Sequence, residues 1–329
     1  MGNLEMKRSL FIKISVWVAG GAVFLILPAV LENYPIFLIN MLAVYALVSI
    51  GLNLLMGYTG QIAAGHAGFL ALGAYFTAIL SLRVEWLPFF VVLILAGLFT
   101  GAVGFLLGIP ILRLRGFYIA MATLAFGVVV SEIILQWSSL TNGDDGLDVP
   151  RGTIGGFVFD SDVKLYFMIV SITIIMAVLA RNLVRSRVGR AFVAIREREI
   201  AAQTMGINLA KYKTVAFAIS AFYTGIAGGL FAYLITYISP DSFDIELSID
   251  FIAMIVIGGM GSIPGSIVGA VILTGMQQLL AGLKDLQVLI FGLSLIVFMI
   301  FMPRGIVGML TSVKERMMQK KIATAVVRS

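Results

Sequence analysis

The chain has 329 residues, of which 60% are hydrophobic and only 12% are charged. Soluble domains carry roughly a quarter of charged residues, so this composition excludes an ordinary soluble protein. With no cysteine and one histidine, His66, the chain also lacks the residues for a disulfide, a thiolate site or a histidine metal cluster. The net charge of +6 is what basic residues collecting on the cytoplasmic side of a membrane produce.

Apolar runs long enough to cross a membrane recur along the chain, since a spanning helix needs ~20 residues. They lack the alternation of barrel strands, so the sequence predicts an all-α polytopic membrane protein with about ten transmembrane helices. The eighth run is short, and we expect it to begin earlier, near Asp244, or to be re-entrant. The predicted spans are 11–31, 36–56, 61–82, 88–111, 116–137, 165–181, 214–238, 251–263, 265–282 and 287–302.

The distribution of basic residues predicts the orientation. With the N-terminus inside, the inner segments of a ten-span arrangement hold 19 of the 23 Lys and Arg. No small-residue cleavage site follows the first apolar run, so a retained span is expected rather than a signal peptide. The predicted organisation is a cytoplasmic N-terminus over 1–13, a transmembrane domain over 14–310 with a cytoplasmic loop over 181–213 and periplasmic loops over 138–164 and 239–250, and a cytoplasmic tail over 311–329.

Glycines mark two further features. Pairs four residues apart, such as Gly97–Gly101 and Gly225–Gly229, predict closely packed helices. Segments 56–65 and 258–265 are weakly similar, and each is expected to form a glycine-broken turn between apolar helices at the inner side. Broken helices in transporters often border the substrate path. The candidate path residues are Asn53, Gly57, Gly60, Gln61, His66, Gly258, Gly259 and Gly261.

Ionisable groups inside the predicted spans are scarce. Glu132 is the only clear carboxylate within a span, and we expect it at the outer interface or in an outer vestibule. A neutral His66 bonded to a backbone carbonyl near Gly60–Gly65 is the structural expectation. The sequence contains neither a phosphate-binding loop nor a catalytic motif, so no catalytic residue, bound cofactor or metal is predicted, and the three aspartates of 142–148 lack calcium-loop spacing.

The segment 189–217 is charged yet lies between two apolar helices. Arg196 to Glu199 are predicted to occupy one helical turn, with Arg196 and Glu199 able to pair. Gly206 is predicted to end this helix in a left-handed conformation, and Asn208 to begin the next one. An interfacial amphipathic helix is the alternative, but Phe192, Val193, Ile195 and Ile200 form no single apolar stripe. We therefore predict docking on a soluble cytoplasmic partner.

Several segments resemble one family, the permease subunits of branched-chain amino acid ABC importers, and particularly the longer, M-type subunit. Gly146, Leu147 and Pro150 also fit the outer loop of that family, whereas Ala63–Ala64 stand where a Ser-Leu pair is common. The matching segments are GLNLLMGYTGQIAAGHAGFLALGAY (51–75), RLRGFYIAMATLAFG (113–127), GRAFVAIREREIAAQTMGINLAKYKTVAF (189–217), IGGMGSIPGSIVGA (257–270) and FMPRGIVGML (301–310).

The resemblance implies an ABC importer permease fold and a multi-pass subunit of the bacterial inner membrane with both termini cytoplasmic. It implies import of Leu, Ile and Val, with a second permease subunit, two ATPase subunits that use the ATP, and a periplasmic binding protein. The binding protein is expected to dock near Asp144, Asp145 and Asp148. The residues expected to couple to the ATPase are Gly189, Arg190, Arg196, Glu197, Arg198, Glu199, Ala201, Ala202 and Gly206.

Alternatives remain open from the sequence. Relatives in this family serve urea, short-chain amides and aromatic acids, so the ligand is not fixed. An ion-coupled secondary carrier is disfavoured by the scarcity of acids inside the spans. A membrane enzyme or scaffold is disfavoured because no nucleophile–base or metal constellation is present.

Overall fold

The computed structural model describes residues 24–28, 30–84, 86–114, 116–154, 157–280, 282, 287–302 and 305–309, and these are almost entirely helical. Two 3-10 turns, Gly143–Asp145 and Pro240–Phe243, and four two-residue strands complete the described elements. The helices are α1 (Asn33–Thr59), α2 (His66–Arg83), α3 (Phe89–Ile111), α4 (Phe117–Gln136), α5 (Ser138–Thr141), α6 (Asp162–Arg185), α7 (Arg187–Glu197), α8 (Glu199–Thr204), α9 (Leu209–Ile235), α10 (Ile245–Gly258), α11 (Ile263–Leu280) and α12 (Gln287–Phe301), and the strands are β1 (Leu147–Asp148), β2 (Thr153–Ile154), β3 (Phe157–Val158) and β4 (Tyr237–Ile238).

Six of these helices are long and apolar enough to cross a membrane, judged by length and composition. They are α1, α3, α4, α6, α9 and α11, so the prediction of an all-helical, multi-span protein is confirmed. The predicted span over 11–31 lies mostly outside the described residues, as do 1–13 and 311–329. The count of ten spans and the predicted domain limits therefore stay predictions.

Helix α9 is the centre of the bundle, with α1, α2 and α3 packed around it. The approach of α3 is close because its facing positions are glycines. A Cβ atom at Gly97 would lie 2.8 Å from Ile226, and one at Gly108 would lie 3.1 Å from Thr214. The predicted close packing at these glycine pairs is confirmed, and it permits dense dispersion contacts where no hydrophobic drive exists between helices in lipid.

The two ends of the bundle differ in charge. At the acidic face, β1 pairs with β4, so the two predicted outer loops are joined by a short antiparallel ladder. Strands β2 and β3 pair within the first of these loops. The hydroxyl of Tyr237 also donates to the Asp145 carbonyl over 3.0 Å. At the other end, the basic face, lie α7 and α8. Helix α1 runs from the acidic face, where the Asn40 amide donates to the Asp162 carbonyl, to the basic face.

Two predicted helices have different limits in the structure. The predicted span over 61–82 is wrong at its start, because α2 begins only at His66. The chain leaves α1 at Gly60, whose φ of 74° is left-handed, and has no regular secondary structure up to Gly65. The eighth run begins earlier than 251, as one of the two alternatives expected. Its helix, α10, has 14 residues after the Asp244 cap and is about 21 Å long, short of a ~30 Å core.

Candidate functional site

Helices α7 and α8 form a compact module on the basic face. The Ser186 hydroxyl caps α7 by accepting from the backbone of Val188 and Gly189. Gly189 lies buried in the corner between α6 and α7, where a Cβ atom would overlap the backbone of Val184. Phe192 and Ile195 are fully buried against the bundle. One side of the module is therefore fixed to the protein's own core.

The predicted continuous turn from Arg196 to Glu199 is wrong. Arg198 has extended backbone angles, φ −156° and ψ 106°, and it separates α7 from α8. The predicted pairing of Arg196 with Glu199 is also wrong, because the kink turns the two side chains apart. Glu199 instead pairs with Lys213 over 2.6 Å, and Arg196 donates through Nη1 to the Gly57 carbonyl at the end of α1.

The predicted end of the module is confirmed. Gly206 has a φ of +83°, and the N–H of Ile207 bonds back to the Ala202 carbonyl over 3.0 Å, which closes the C-terminus of α8. The Asn208 side chain caps α9 by accepting from the backbone of Lys211 over 3.0 Å. Gly206 and Asn208 were therefore sufficient to predict a turn between α8 and α9 from the sequence.

The outward side of the module carries two exposed apolar side chains that sequence reasoning did not single out for docking. Ile200 is 81% exposed and Met205 is 83% exposed. The sequence did carry a signal for this exposed surface. Its apolar residues form no single stripe, because Ile200 lies on a different face from the buried Phe192. Among the predicted coupling residues, Gly189 and Ala202 are buried, whereas Arg190, Arg196, Glu197, Arg198, Glu199, Ala201 and Gly206 are classed as exposed.

Residues 60–65, here named the first glycine turn, lie against three other elements. The Ala64 N–H donates to the Thr123 hydroxyl of α4 over 2.9 Å. The buried Gln61 amide reaches the Lys213 carbonyl at the start of α9 over 3.5 Å. Gly60 packs on Arg196 of α7, whose Cβ lies 3.6 Å from the position a Gly60 Cβ would take. The turn is therefore held from several sides.

Residues 258–262, here named the second glycine turn, join α10 to α11. Their polar groups form hydrogen bonds to one side chain. Asn53 is fully buried in α1. Its Oδ1 accepts from the Gly261 N–H over 2.8 Å, and its Nδ2 donates to the Ser262 carbonyl over 3.0 Å and to the Ser266 hydroxyl over 2.7 Å. The structure thus brings Asn53, Gly57, Gly259 and Gly261 together at the basic face.

His66 lies deeper, at the N-terminus of α2. Its Nε2 lies 2.7 Å from the Ser220 hydroxyl, so the expectation of a backbone carbonyl partner is wrong. Ser220 is near the middle of α9, because it lies about 17 Å along the helix axis from the first residue, Leu209. The next N–H, that of Ala67, donates over 3.0 Å to Ser248 in the first turn of α10. The first turns of α2 and α10 therefore meet at Ala67 and Ser248.

A cavity of about 460 Å³ lies where these two helix starts meet. Its wall includes Ala64 and Ala67 from the first glycine turn and α2, and Ile245 and Ser248 from α10. The volume is within the ~300–1,000 Å³ typical of ligand sites. Glu132 lines it as well and accepts from the amide of Gln136, in agreement with the expected place in a vestibule, and the remaining acidic lining residues are Asp241, Asp244 and Glu246.

The predicted docking acids Asp144, Asp145 and Asp148 are exposed on the acidic face. Asp144 and Asp145 lie in the 3-10 turn Gly143–Asp145, and Asp148 lies in β1, which pairs with β4. This pairing fixes the backbone of the segment. Nearby, the hydrogen bond from Lys164 holds the pKa of Asp160 below its ordinary value, so that carboxylate already has a partner. Within the described ranges, no group of three or more His, Cys, Asp or Glu could hold a metal ion.

A multi-span helical bundle with broken helices, an interior cavity and an exposed module at one face defines a transport permease. Residues 34–301 match the family described as branched-chain amino acid transport system / permease component. The match covers most of the chain, so the chain belongs to this family of ABC transporter permease components. Members contribute the membrane path and are not themselves enzymes, and the ATPase is a separate chain.

The chain is also similar to individual permeases named for two classes of substrate, branched-chain amino acids and ribose. The chain is 33% identical over 306 residues to the high-affinity branched-chain amino acid transport permease LivM of Salmonella typhimurium, a match that covers 86% of this chain and 72% of the relative. It is 26% identical to LivH of Escherichia coli, covering 80% and 91%. It is 25% identical to the ribose import permease RbsC of Haemophilus influenzae, covering 70% and 72%. No solved structure matches the chain significantly.

Proposed function

We propose that this chain passes leucine, isoleucine and valine across the bacterial inner membrane as one permease subunit of an ATP-driven importer. The observation that carries the proposal is the family match over 34–301 together with the similarity to LivM, whose name states this class of substrate. Similarity to LivH supports a second, different permease subunit as partner. Two ATPases and a periplasmic binding protein complete the proposed complex.

The α7–α8 module is the proposed contact for the ATPase. Its inner side is buried through Phe192 and Ile195, so the module is fixed to the bundle. Its outer side presents Ile200 and Met205, and large exposed apolar side chains beside charges are typical of interaction sites. Because they stand next to Glu197 and Arg198, a partner groove with an apolar floor and a charged rim fits this surface.

The cavity at the meeting point of α2 and α10 is the proposed passage for the amino acid. It is bordered by Gly68 and Leu124 on one side and by Phe243 and Ser248 on the other. An apolar wall suits a branched aliphatic side chain, and the carboxylates at its mouth suit an ammonium group. The acids of the β1–β4 ladder, Asp144, Asp145 and Asp148, form the proposed dock for the periplasmic binding protein.

The orientation follows from the same scheme, with the basic face in the cytoplasm. Because the chain has no cysteine, single cysteines report orientation without background. Ser161→Cys, at the acidic face, should react with an impermeant maleimide added to whole cells with a permeabilised outer membrane. Met205→Cys should react only after the inner membrane is opened. Labelling of both cysteines in intact cells would contradict this orientation.

The function is tested by uptake in proteoliposomes that contain this chain, the partner permease, the ATPases and the binding protein. Labelled leucine should accumulate only with enclosed ATP, and collapse of the proton gradient should leave uptake unchanged. Excess unlabelled isoleucine and valine should compete. Competition by urea, amides or aromatic acids instead would assign the complex to that substrate class, and dependence on the proton gradient would support a secondary carrier.

A further inference from the structure

Arg196 is exposed, but its guanidinium reaches back to the chain's own bundle. It lies in the last turn of α7, and its Nη1 donates to the carbonyl of Gly57 in the last turn of α1. The final carbonyls of a helix lack intrahelical partners and carry partial negative charge, so a cation is favourable there. The aliphatic part of the side chain packs on Gly60, with Cγ 3.4 Å from the position of a Gly60 Cβ.

The same guanidinium also touches the second glycine turn. A Cβ atom at Gly261 would lie 2.7 Å from Nη1 of Arg196 and 3.3 Å from the Gly57 carbonyl oxygen. Only glycine leaves the space that the guanidinium occupies. Gly261 has a φ of +78°, a conformation that L side chains rarely adopt, and its N–H donates to Asn53 over 2.8 Å. Arg196 therefore contacts the end of α1 and the turn between α10 and α11 at once.

We propose that Arg196 is a positioning residue that makes α7, the end of α1 and the second glycine turn move as one body. The connection runs from α7 through Arg196 to Gly57 in α1, and from Asn53 of α1 to the second glycine turn at the C-terminal end of α10. Because the start of α10 borders the cavity, a displacement of α7 reaches the passage through this connection. The inference rests on the proposed function, since the ATPase partner would supply the displacement.

The first test compares Arg196→Ala with Arg187→Ala, which removes an exposed arginine from the opposite end of the same helix. Both variants are reconstituted as the full complex, and leucine imported per ATP hydrolysed is measured alongside the amount of ATPase that co-purifies. Arg196→Ala should lower leucine per ATP at least about tenfold, because loss of one hydrogen bond to a charged group shifts the equilibrium between the joined and separated arrangements of α7 and α1 by about that factor. ATPase recovery should equal that of Arg187→Ala and of the unaltered chain.

The conservative variant separates positioning from packing. Arg196→Lys keeps a cation and one donor for the Gly57 carbonyl, so it should restore leucine per ATP to within about threefold of the unaltered protein. If Arg196→Lys is as deficient as Arg196→Ala while both complexes assemble fully, the hydrogen bond to Gly57 is not the connection, and the proposal is wrong.

A reversible disulfide between positions 60 and 196 allows the reduced and oxidised states of one protein to be compared. Cysteines at 60 and 196 place their Cβ atoms about 3.6 Å apart, within the range of disulfides. When reduced, the double variant Gly60→Cys/Arg196→Cys should be uncoupled like Arg196→Ala. When oxidised, it should recover leucine per ATP, because the disulfide joins the same two elements. Gly60→Cys alone should not respond to oxidant. Uncoupling that persists in the oxidised protein would overturn the proposal.

The outcomes also distinguish this inference from the ATPase dock. Loss of ATPase from the Arg196→Ala complex, but not from Arg187→Ala, would make Arg196 a docking residue and would refute the connection. Full assembly with unchanged leucine per ATP would refute the connection and leave the dock intact. If neither the unaltered chain nor Arg187→Ala binds an ATPase, the proposed function itself fails.

Discussion

The two glycine turns lie side by side at the basic face, yet they are held in different ways. The second turn gathers on Asn53, which bonds to Gly261, Ser262 and Ser266. The first turn is held by separate contacts from α4, α7 and α9, among them the hydrogen bond from the Ala64 N–H to the Thr123 hydroxyl over 2.9 Å. Similar glycine-rich sequences thus give one turn whose hydrogen bonds to α1 all come from the single side chain of Asn53 and one turn with distributed support.

This difference has a physical origin in what each turn passes. The second turn passes the buried Asn53, an amide that offers both a donor and an acceptor, so several of its polar groups bond to one side chain. The first turn runs from α1 to α2 between α4, α7 and α9, and Gln61 and Ala64 each meet a different partner there. The comparison predicts that the second turn is the more vulnerable to single substitutions.

The largest effect is expected for Asn53→Leu. Leucine has a similar volume but no polar atoms, so the Gly261 N–H, the Ser262 carbonyl and the Ser266 hydroxyl lose their bonds to this side chain. The Gly261 N–H is left without an acceptor, at a cost of about 1–3 kcal/mol, and losing each of the other two bonds adds about 0.5–1.5 kcal/mol, since the Ser262 carbonyl still accepts from the Ser266 N–H. We expect little folded protein in the membrane, measured by quantitative blotting and by thermal unfolding in detergent. Folding equal to that of the unaltered chain would show that the second turn has other supports.

A smaller effect is expected for Thr123→Val in the first turn. The substitution keeps the shape of the side chain but removes the acceptor for the Ala64 N–H, which should lower the free energy of unfolding by about 1–3 kcal/mol. Thr123→Ser keeps the hydroxyl and is the matched control. If Thr123→Val destabilises the protein as much as Asn53→Leu, the distinction between single and distributed support is wrong.

The smallest effect is expected for Gln61→Ala. The bond from its amide to the Lys213 carbonyl is long, 3.5 Å, and that carbonyl lies in the first turns of α9. Losing one hydrogen bond of this kind costs about 0.5–1.5 kcal/mol at most. The thermal midpoint in detergent should fall by a few degrees at most, with normal membrane levels. Complete loss of the folded protein would mean that the first turn also depends on one residue.

Sequence patterns were sufficient where the physical rule is local. Composition gave the helical membrane class, glycine spacing gave the close packing of α3 on α9, and Gly206 and Asn208 gave the turn after α8. Sequence patterns did not predict the conformation or contacts of residues whose partners are distant in the sequence. The kink at Arg198 and the contacts of Arg196 and Glu199 depend on Gly57 and Lys213. The partner of His66 is 154 residues away, and no local pattern announces it.

The outer side of α7 and α8 is the proposed binding surface for the ATPase. A single cysteine at Ile200, carrying a photoactivatable maleimide and irradiated in the assembled complex, tests this contact directly. A cysteine at Asp144, exposed on the acidic face, is the control. We expect a cross-link from position 200 to the ATPase and none from position 144. An ATPase that assembles fully but never cross-links to position 200 would show that it binds elsewhere.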